Sequence, residues 1–321
     1  MKYLIVLLSV LMLASCKKES KVEKEISKVD INFVVERFDK AFYKANESDL
    51  PKLKEAYPFM FPKSYPDSFW IERMQDTLQN ELLAESIATF EDFKTEKLEI
   101  EQLFQHLKYY LPEFSTPRVI TTTSSVDYRN KVIVTDTIAL ISIDTYLGSN
   151  HRFYDGIQNY LKQNFEKNQI VVDMAEAYAK KYVYQLERKT FLDEMIYHGK
   201  ALYFMDIMIP FKADSEKIGY SKDQLQWSKD NEFFIWNYFI DKELLYSTDS
   251  KLPSRFINPA PFSKFYLEII DNESPGRIGR FIGWQIVRSY MANNDVTLKE
   301  MLTEEPINIF KNSKYKPLVE E

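Results

Sequence analysis

Hydrophobic residues recur every three or four positions along most of the chain, which is the period of an amphipathic helix. The first such run follows Asp30, a favourable N-cap, and continues through Ile31, Val35, Phe38 and Phe42. The same pattern predicts further helices over about 67–93, 97–110, 150–166, 169–186, 189–209, 221–247, 262–271 and 275–293. We therefore expect a mostly helical protein.

Residues 118–147 have a different pattern. They are rich in Val, Ile and Thr, and polar breaks such as the one at 127–130 divide them into three short runs. Short runs of β-branched residues between polar turns predict strands. The sequence thus predicts an α+β fold, predominantly helical, in which many helices pack on a small antiparallel or mixed sheet near residues 118–145.

The first residues, MKYLIVLLSVLMLASC, have the pattern of an export signal. The apolar run from Leu4 to Leu13 is too short for a bilayer core of ~30 Å, but it suits a signal peptide. The small residues of LASC precede Cys16, the one cysteine in the chain. We predict a lipoprotein signal peptide at 1–15 and lipidation of Cys16, with an ordinary secretory signal as the alternative.

The segment after Cys16 is highly charged and offers little to bury, which is typical of a flexible tether. We expect the lipidated cysteine and this tether to occupy residues 16–29, and a single helix-rich globular domain to occupy 30–321. No long acidic run follows Cys16 directly. This favours a lipid-anchored protein of the cell envelope whose domain faces the periplasm.

Composition excludes several classes of function. The chain has 42 basic and 48 acidic residues and a net charge of −6, which gives no electrostatic footprint for nucleic acid. Only seven glycines are present, so a glycine-rich phosphate loop is not expected. The 23 Phe, 21 Tyr and 4 Trp residues indicate a bulky, helix-packed core. No Gly-x-Ser-x-Gly nucleophile motif occurs.

The segment DEMIYHGKALYFMD raises the question of a metal site. It places Glu194 and His198 four residues apart on a helix, and Glu176 lies on the helix before it. A zinc hydrolase needs three ligands and an open position, but the chain has three scattered histidines and no His-Glu-x-x-His. We expect no metal or other cofactor, and interpret His198 as a core residue bonded to Glu194. The alternative is a ligand set of Glu176, Glu194 and His198.

The segment SPGRIGRFIGWQIVRSYMAN holds three of the seven glycines. Gly279 and Gly283 share a face that would let another helix approach closely. On a different face, Arg280, Trp284 and Arg288 follow one another at four-residue steps. These three are candidate partner-binding residues, but tight packing with arginine–carboxylate pairs is the favoured interpretation.

Several motifs together resemble the gliding motility lipoprotein family GldB. They are the LASC lipobox, ISIDTYLG at 141–148, HGKALYFMD at 198–206 and SPGRIGRFIGWQIVRSYM at 274–291, and the resemblance spans nearly the whole mature chain. It implies a part in the gliding machinery, which is linked to type IX secretion, with other envelope proteins of that machinery as partners and no enzymatic activity.

The family in turn is distantly similar to zincin-like metallopeptidases. That similarity implies a zincin-like scaffold with its zinc site lost, because the helical histidines are missing and His198 stands where a glutamate would be. We therefore expect a non-catalytic protein that acts through protein–protein contacts. An atypical zincin-like peptidase is the alternative, and a periplasmic small-ligand binding lipoprotein ranks third.

Overall fold

The computed structural model describes residues 21–317 of the 321-residue chain. The helices are α1 (Lys21–Ile26), α2 (Phe38–Lys44), α3 (Leu50–Ala56), α4 (Asp67–Gln75), α5 (Thr77–Thr89), α6 (Lys94–Tyr110), α7 (Asn159–Lys162), α8 (Ile170–Tyr182), α9 (Phe191–Met208), α10 (Asp214–Ile218), α11 (Lys222–Asp230), α12 (Glu232–Asp241), α13 (Glu268–Glu273), α14 (Ile278–Asn293), α15 (Leu298–Thr303) and α16 (Pro306–Ser313). The strands are β1 (Val35–Arg37), β2 (Arg118–Thr122), β3 (Val132–Val134) and β4 (Ile138–Ser142). The prediction of a mainly helical α+β fold is confirmed.

The strands form one mixed sheet in the order β1-β2-β4-β3. β1 and β4 both run parallel to the central β2, while β3 pairs antiparallel with β4. Val119 and Ile120, adjacent on β2, are both fully buried but belong to different hydrophobic clusters. Because successive side chains of a strand point to opposite faces, helices must cover both sides of the sheet.

Strand β1 corrects the prediction of a helix beginning near Asp30. Residues 31–34 have no regular structure, Val35–Arg37 pairs with β2, and a helix begins at Phe38. The strand is three residues long and its partner lies more than eighty positions later, so no local pattern marks it. The predicted three strands therefore become a four-stranded sheet.

Other predicted helices are shorter than their hydrophobic patterns suggested. The span 67–93 is divided at Asp76, whose side chain accepts from the backbone N–H of Gln79 and caps α5. The span 221–247 is divided at Asn231. Over 150–166 only α7 is an α-helix, and over 262–271 regular helix begins at Glu268.

The N-terminal part of the described chain is more ordered than the predicted tether. Residues Lys21–Ile26 form α1, and Ile26 is 1% exposed. Tyr109 on α6 donates a hydrogen bond to Glu25 at 3.1 Å. A short helix with one buried aliphatic residue is thus docked on α6, where the sequence predicted a flexible segment.

Helices α9 and α14 cross so closely that the contact points, Gly199 and Gly283, leave no room for a side chain. A Cβ atom added to Gly283 would lie 1.9 Å from the carbonyl oxygen of Met195, and one added to Gly199 would lie 2.3 Å from that of Gly283. This confirms the expectation that the glycine face of the 275–293 segment admits a second backbone. The crossing fixes the position of α14 relative to α9, and it thereby fixes the position of the arginines on α14.

Candidate functional site

A cleft with a volume of about 300 Å³ lies between α8, α9 and the N-terminal end of α14. The loop before β3, α7 with the residues after it, and α10 with Gly219 form most of the remaining walls. Six cationic side chains and three carboxylates line it: Arg129, Lys131, Lys180, Lys217, Arg277, Arg280, Asp173, Glu176 and Glu216. The cleft therefore carries an excess of positive charge in a chain whose net charge is −6.

Helix α8 contributes Asp173, Glu176 and Lys180 to the cleft. Steps of three and four residues place them on one face of the helix, while Met174 and Tyr178 are buried on another. The carboxylate of Asp173 accepts from the phenol of Tyr146 at 2.7 Å and pairs with Lys131 at 2.5 Å. Glu176 pairs with Lys180 at 3.2 Å.

Helix α9 forms a largely apolar wall through His198, Ala201, Leu202 and Met205. Burial, together with the positive charges of Arg280 and Arg188, lowers the pKa of His198 to about 2. The imidazole is therefore neutral at physiological pH. Its ring nitrogens make no hydrogen bond within residues 21–317.

His198 thus differs from the sequence interpretation. It lines the cleft and is partly exposed, whereas a core position was expected. Its predicted partner is engaged elsewhere, because Arg188 Nε donates to Glu194 Oε1 at 3.0 Å and the Arg188 guanidinium lies 3.9 Å from the Tyr197 ring centroid. The expected Glu194–His198 bond is not formed.

The N-terminal end of α14 brings Arg277 and Arg280 to the cleft. Arg277 has a left-handed backbone (φ 64°) and donates from Nη2 to the carbonyl of Gly219 at 2.7 Å. Gly219 also has a positive φ, 70°, and a Cβ there would lie 3.2 Å from both terminal nitrogens of Arg277. Glycine at this position therefore leaves room for the guanidinium.

Arg280 lies deeper than Arg277. Its side chain is 17% exposed, its Nε donates to the carbonyl of Ile257 at 2.7 Å, and its Nη1 is 3.9 Å from Glu176 Oε1. Burial lowers the pKa of Arg280 to about 10, and Glu176 offsets only part of this effect. Burial also acts to raise the pKa of Glu176, but Lys180 and Arg280 outweigh it and leave that pKa below its ordinary value.

The residues considered as metal ligands do not fit a zinc site. Glu176 and His198 line the cleft together, whereas Glu194 is bound to Arg188 and is absent from its lining. No three His, Cys, Asp or Glu side chains of the described chain are placed to share an ion. Arg280 and Lys180 beside Glu176 would also repel a dication.

The candidate partner-binding residues Arg280, Trp284 and Arg288 are placed in two different environments. Arg280 faces the cleft, but Trp284 is fully buried and donates from Nε1 to Asp206 at 2.8 Å. Arg288 lies 3.7 Å from the Trp284 ring centroid and is bound by Asp206 and Asp214. Trp284 therefore lies in the interior and is not accessible to a partner.

The predicted lipidation site, Cys16, and the signal peptide at 1–15 lie outside the described residues. Between residues 21 and 317, no helix combines the length and the apolar character that crossing a bilayer requires.

The family model for gliding motility protein GldB matches residues 19–317, nearly the whole chain. The chain belongs to the GldB family. Membership confirms the resemblance seen in the sequence, supports a role in gliding motility and suggests a location in the cell envelope. No curated protein and no solved structure shows a significant match. The zincin-like scaffold therefore stays a prediction.

The sequence interpretation of this GldB family member missed most of the cleft. Arg129, Lys131 and Gly219 come from two separate segments and carry no motif. One signal was present, because Arg277 and Arg280 both lie in the glycine-rich stretch 274–293. What the sequence lacked was the information that α8 and the 216–219 segment meet this stretch.

Proposed function

We propose that this protein is a lipid-anchored component of the gliding machinery in the cell envelope, and that it acts through contacts with other proteins of that machinery rather than through catalysis. The observation that carries the proposal is the match of the GldB family model to residues 19–317. The link to type IX secretion and the periplasmic orientation of the domain follow from the family resemblance and from the sequence after Cys16.

The composition of the cleft supports a binding role. Its charged groups are mainly arginines and lysines, and its histidine is held neutral among them. Arginine guanidinium groups recognise carboxylates and phosphates through paired hydrogen bonds. A cleft of this kind is suited to holding an anionic group of a partner.

A clean deletion of the gene tests the role in motility. We expect deletion to abolish cell movement on surfaces, and the wild-type gene to restore it. Normal gliding of the deletion strain would contradict the proposal.

Complementation with Cys16→Ala tests the lipid anchor, with Ser20→Ala as a matched control outside the lipobox. We expect the Cys16→Ala protein to leave the membrane fraction and the control to remain there. Equal fractionation of the two variants would exclude Cys16 as the anchor.

Elemental analysis of the purified protein tests the non-catalytic interpretation. We expect less than stoichiometric zinc after gentle purification, because Glu194 is bound to Arg188 and cannot complete a ligand set. One tightly held zinc per chain would favour the atypical peptidase instead.

A further inference from the structure

The arginines of the cleft differ from its lysines in how far their charge is satisfied. Lys131 pairs with Asp173, Lys180 with Glu176, and Lys217 with Asp206 at 2.9 Å. Neither Arg129 nor Arg277 has an ion-pair partner among residues 21–317. The positive charge of the cleft that no carboxylate neutralises is therefore carried by arginines.

Arg280 shows the clearest deficit of acceptors. A guanidinium has five N–H donors, and in Arg280 only Nε has a hydrogen-bond acceptor in the described chain, the carbonyl of Ile257. The distance of 3.9 Å between Nη1 and Glu176 is an ion-pair distance, beyond a hydrogen bond. The four remaining N–H groups belong to a cation that lines the cleft, where they are available to an anion.

Arg277 offers a second set of donors beside Arg280. Its Nη2 reaches Gly219, its guanidinium lies 5.5 Å from the Tyr220 ring centroid, and its remaining N–H groups have no acceptor in the described residues. Both anchoring contacts hold the guanidinium in place and leave its other edge free. Arg129, exposed at the rim, adds positive charge at the entrance.

The remaining lining indicates which anion the cleft suits. Glu176 lies 3.9 Å from Arg280 and Asp173 also lines the cleft, so these carboxylates would repel a dianion more strongly than a monoanion. Leu202, Met205 and Ile218 also line the cleft and, being mostly buried, offer a small apolar area next to the charges. The volume of about 300 Å³ is at the lower end of ligand pockets, which suits a short segment.

We propose that the cleft binds the C-terminal carboxylate of a polypeptide whose last residue is apolar. Arg280 and Arg277 hold the carboxylate, and Leu202, Met205 and Ile218 contact the terminal side chain. The ring nitrogens of His198, which have no partner within the described chain, are available to the last peptide amide. This inference rests on the proposed function and deepens it, because it names the chemistry by which a partner is held.

Calorimetric titration of the purified full-length protein tests the inference. The probes are acetyl-Ala-Ala-Leu with a free carboxylate, the same peptide with a C-terminal amide, and inorganic phosphate. We expect the free acid to bind at least tenfold more tightly than the amide, and phosphate to bind more weakly than the free acid. Equal binding of acid and amide, no binding of the acid, or tighter binding of phosphate would overturn the inference.

Two variants and a control locate the binding site. Arg280→Gln should weaken the binding of the free-acid peptide at least tenfold. Arg129→Gln should weaken this binding about threefold, and its exposed position makes it the second test in case Arg280→Gln fails to fold. Arg152→Gln is the matched control, because Arg152 is an exposed arginine that pairs with Glu81 and Glu85 outside the cleft. Unchanged affinity in Arg129→Gln and in folded Arg280→Gln would overturn the inference.

The titration and the gliding assay separate the two proposals. Failure of peptide binding, with gliding lost in the deletion strain, overturns only the inference about the cleft. Normal gliding in the deletion strain overturns the proposed function whatever the titration shows.

Discussion

Two arginines on the same helix, Arg280 and Arg288, have opposite surroundings. Arg288 donates from Nε and Nη2 to Asp206, both at 2.8 Å, and from Nη1 and Nη2 to Asp214 at 2.9 and 3.0 Å. Arg280, two turns earlier, has one backbone acceptor and a carboxylate at 3.9 Å. An arginine whose N–H groups are nearly all paired with carboxylates forms a structural ion pair. An arginine with unpaired N–H groups has the capacity to bind an anion.

The pKa values of the two arginines reflect this difference. Burial acts to lower both, but the hydrogen bonds that Arg288 donates to Asp206 and Asp214 more than compensate and raise the pKa of Arg288 above its ordinary value. For Arg280 burial prevails, and its pKa falls to about 10. Sequence spacing alone made these residues appear equivalent, because both lie on the same helical stripe.

The first prediction concerns Arg288, where we expect the largest effect. Arg288→Gln removes the hydrogen bonds of the guanidinium to Asp206 and Asp214, although Asp206 keeps its bonds from Lys217 and Trp284. Because the lost bonds join charged, half-buried groups, the free energy of unfolding should fall by roughly 2–3 kcal/mol. Arg280→Gln, the matched variant, loses one hydrogen bond and should cost about 1 kcal/mol. Urea unfolding measures both values, and equal losses would remove the distinction between the two arginines.

The second prediction concerns the helix crossing that positions both arginines. In Gly283→Ala the new Cβ would lie 1.9 Å from the carbonyl oxygen of Met195, so α9 and α14 must separate. We expect a loss of about 2 kcal/mol, typical of overpacking. Gln285→Ala on the same helix should change stability by less than about 0.5 kcal/mol. Similar values for the two variants would show that the crossing tolerates a side chain.

The third prediction concerns pH. In the unfolded chain His198 takes up a proton near its ordinary pKa of 6.5, whereas in the folded protein burial and Arg280 lower that pKa to about 2. The unfolded state therefore binds more protons below pH 6.5, and the stability that neutral His198 contributes is complete above that pH and declines as the pH falls.

Unfolding measured from pH 7 down to about pH 5 tests this contribution. The free energy of the wild type should fall more steeply than that of His198→Gln, by up to about 1.4 kcal/mol per pH unit. Identical pH dependence of the two proteins would mean that His198 is protonated in the fold and that the cleft is less positive than its arginines suggest.

Local sequence patterns predicted the parts of the fold that depend on neighbouring residues. The 189–209 and 275–293 spans correspond to α9 and α14 because their apolar residues recur with helical period and are buried. Strand β1 was missed because its three residues are stabilised by β2, far along the chain. The 150–166 span failed because Gly156, with φ 83°, lies where the chain turns.

The candidate site was less predictable than the fold. The sequence suggested Glu176 and His198 as parts of one ligand set and Arg280 independently of them, and the structure brings these three to one cleft. It could not predict that Arg188 engages Glu194, or that Asp206 and Asp214 engage Arg288, because those pairings depend on how loops and helices meet. Whether an arginine is saturated is a property of tertiary structure.

The most direct measurement of this account is the stabilisation of the wild type and of Arg280→Gln by acetyl-Ala-Ala-Leu in urea unfolding. With peptide at about 100 times its dissociation constant, the wild type should gain about 2.7 kcal/mol. Arg280→Gln at the same peptide concentration should gain less than half of that. An equal gain in both proteins, or no gain in the wild type, would contradict the claim that Arg280 is the unsaturated cation of a binding cleft.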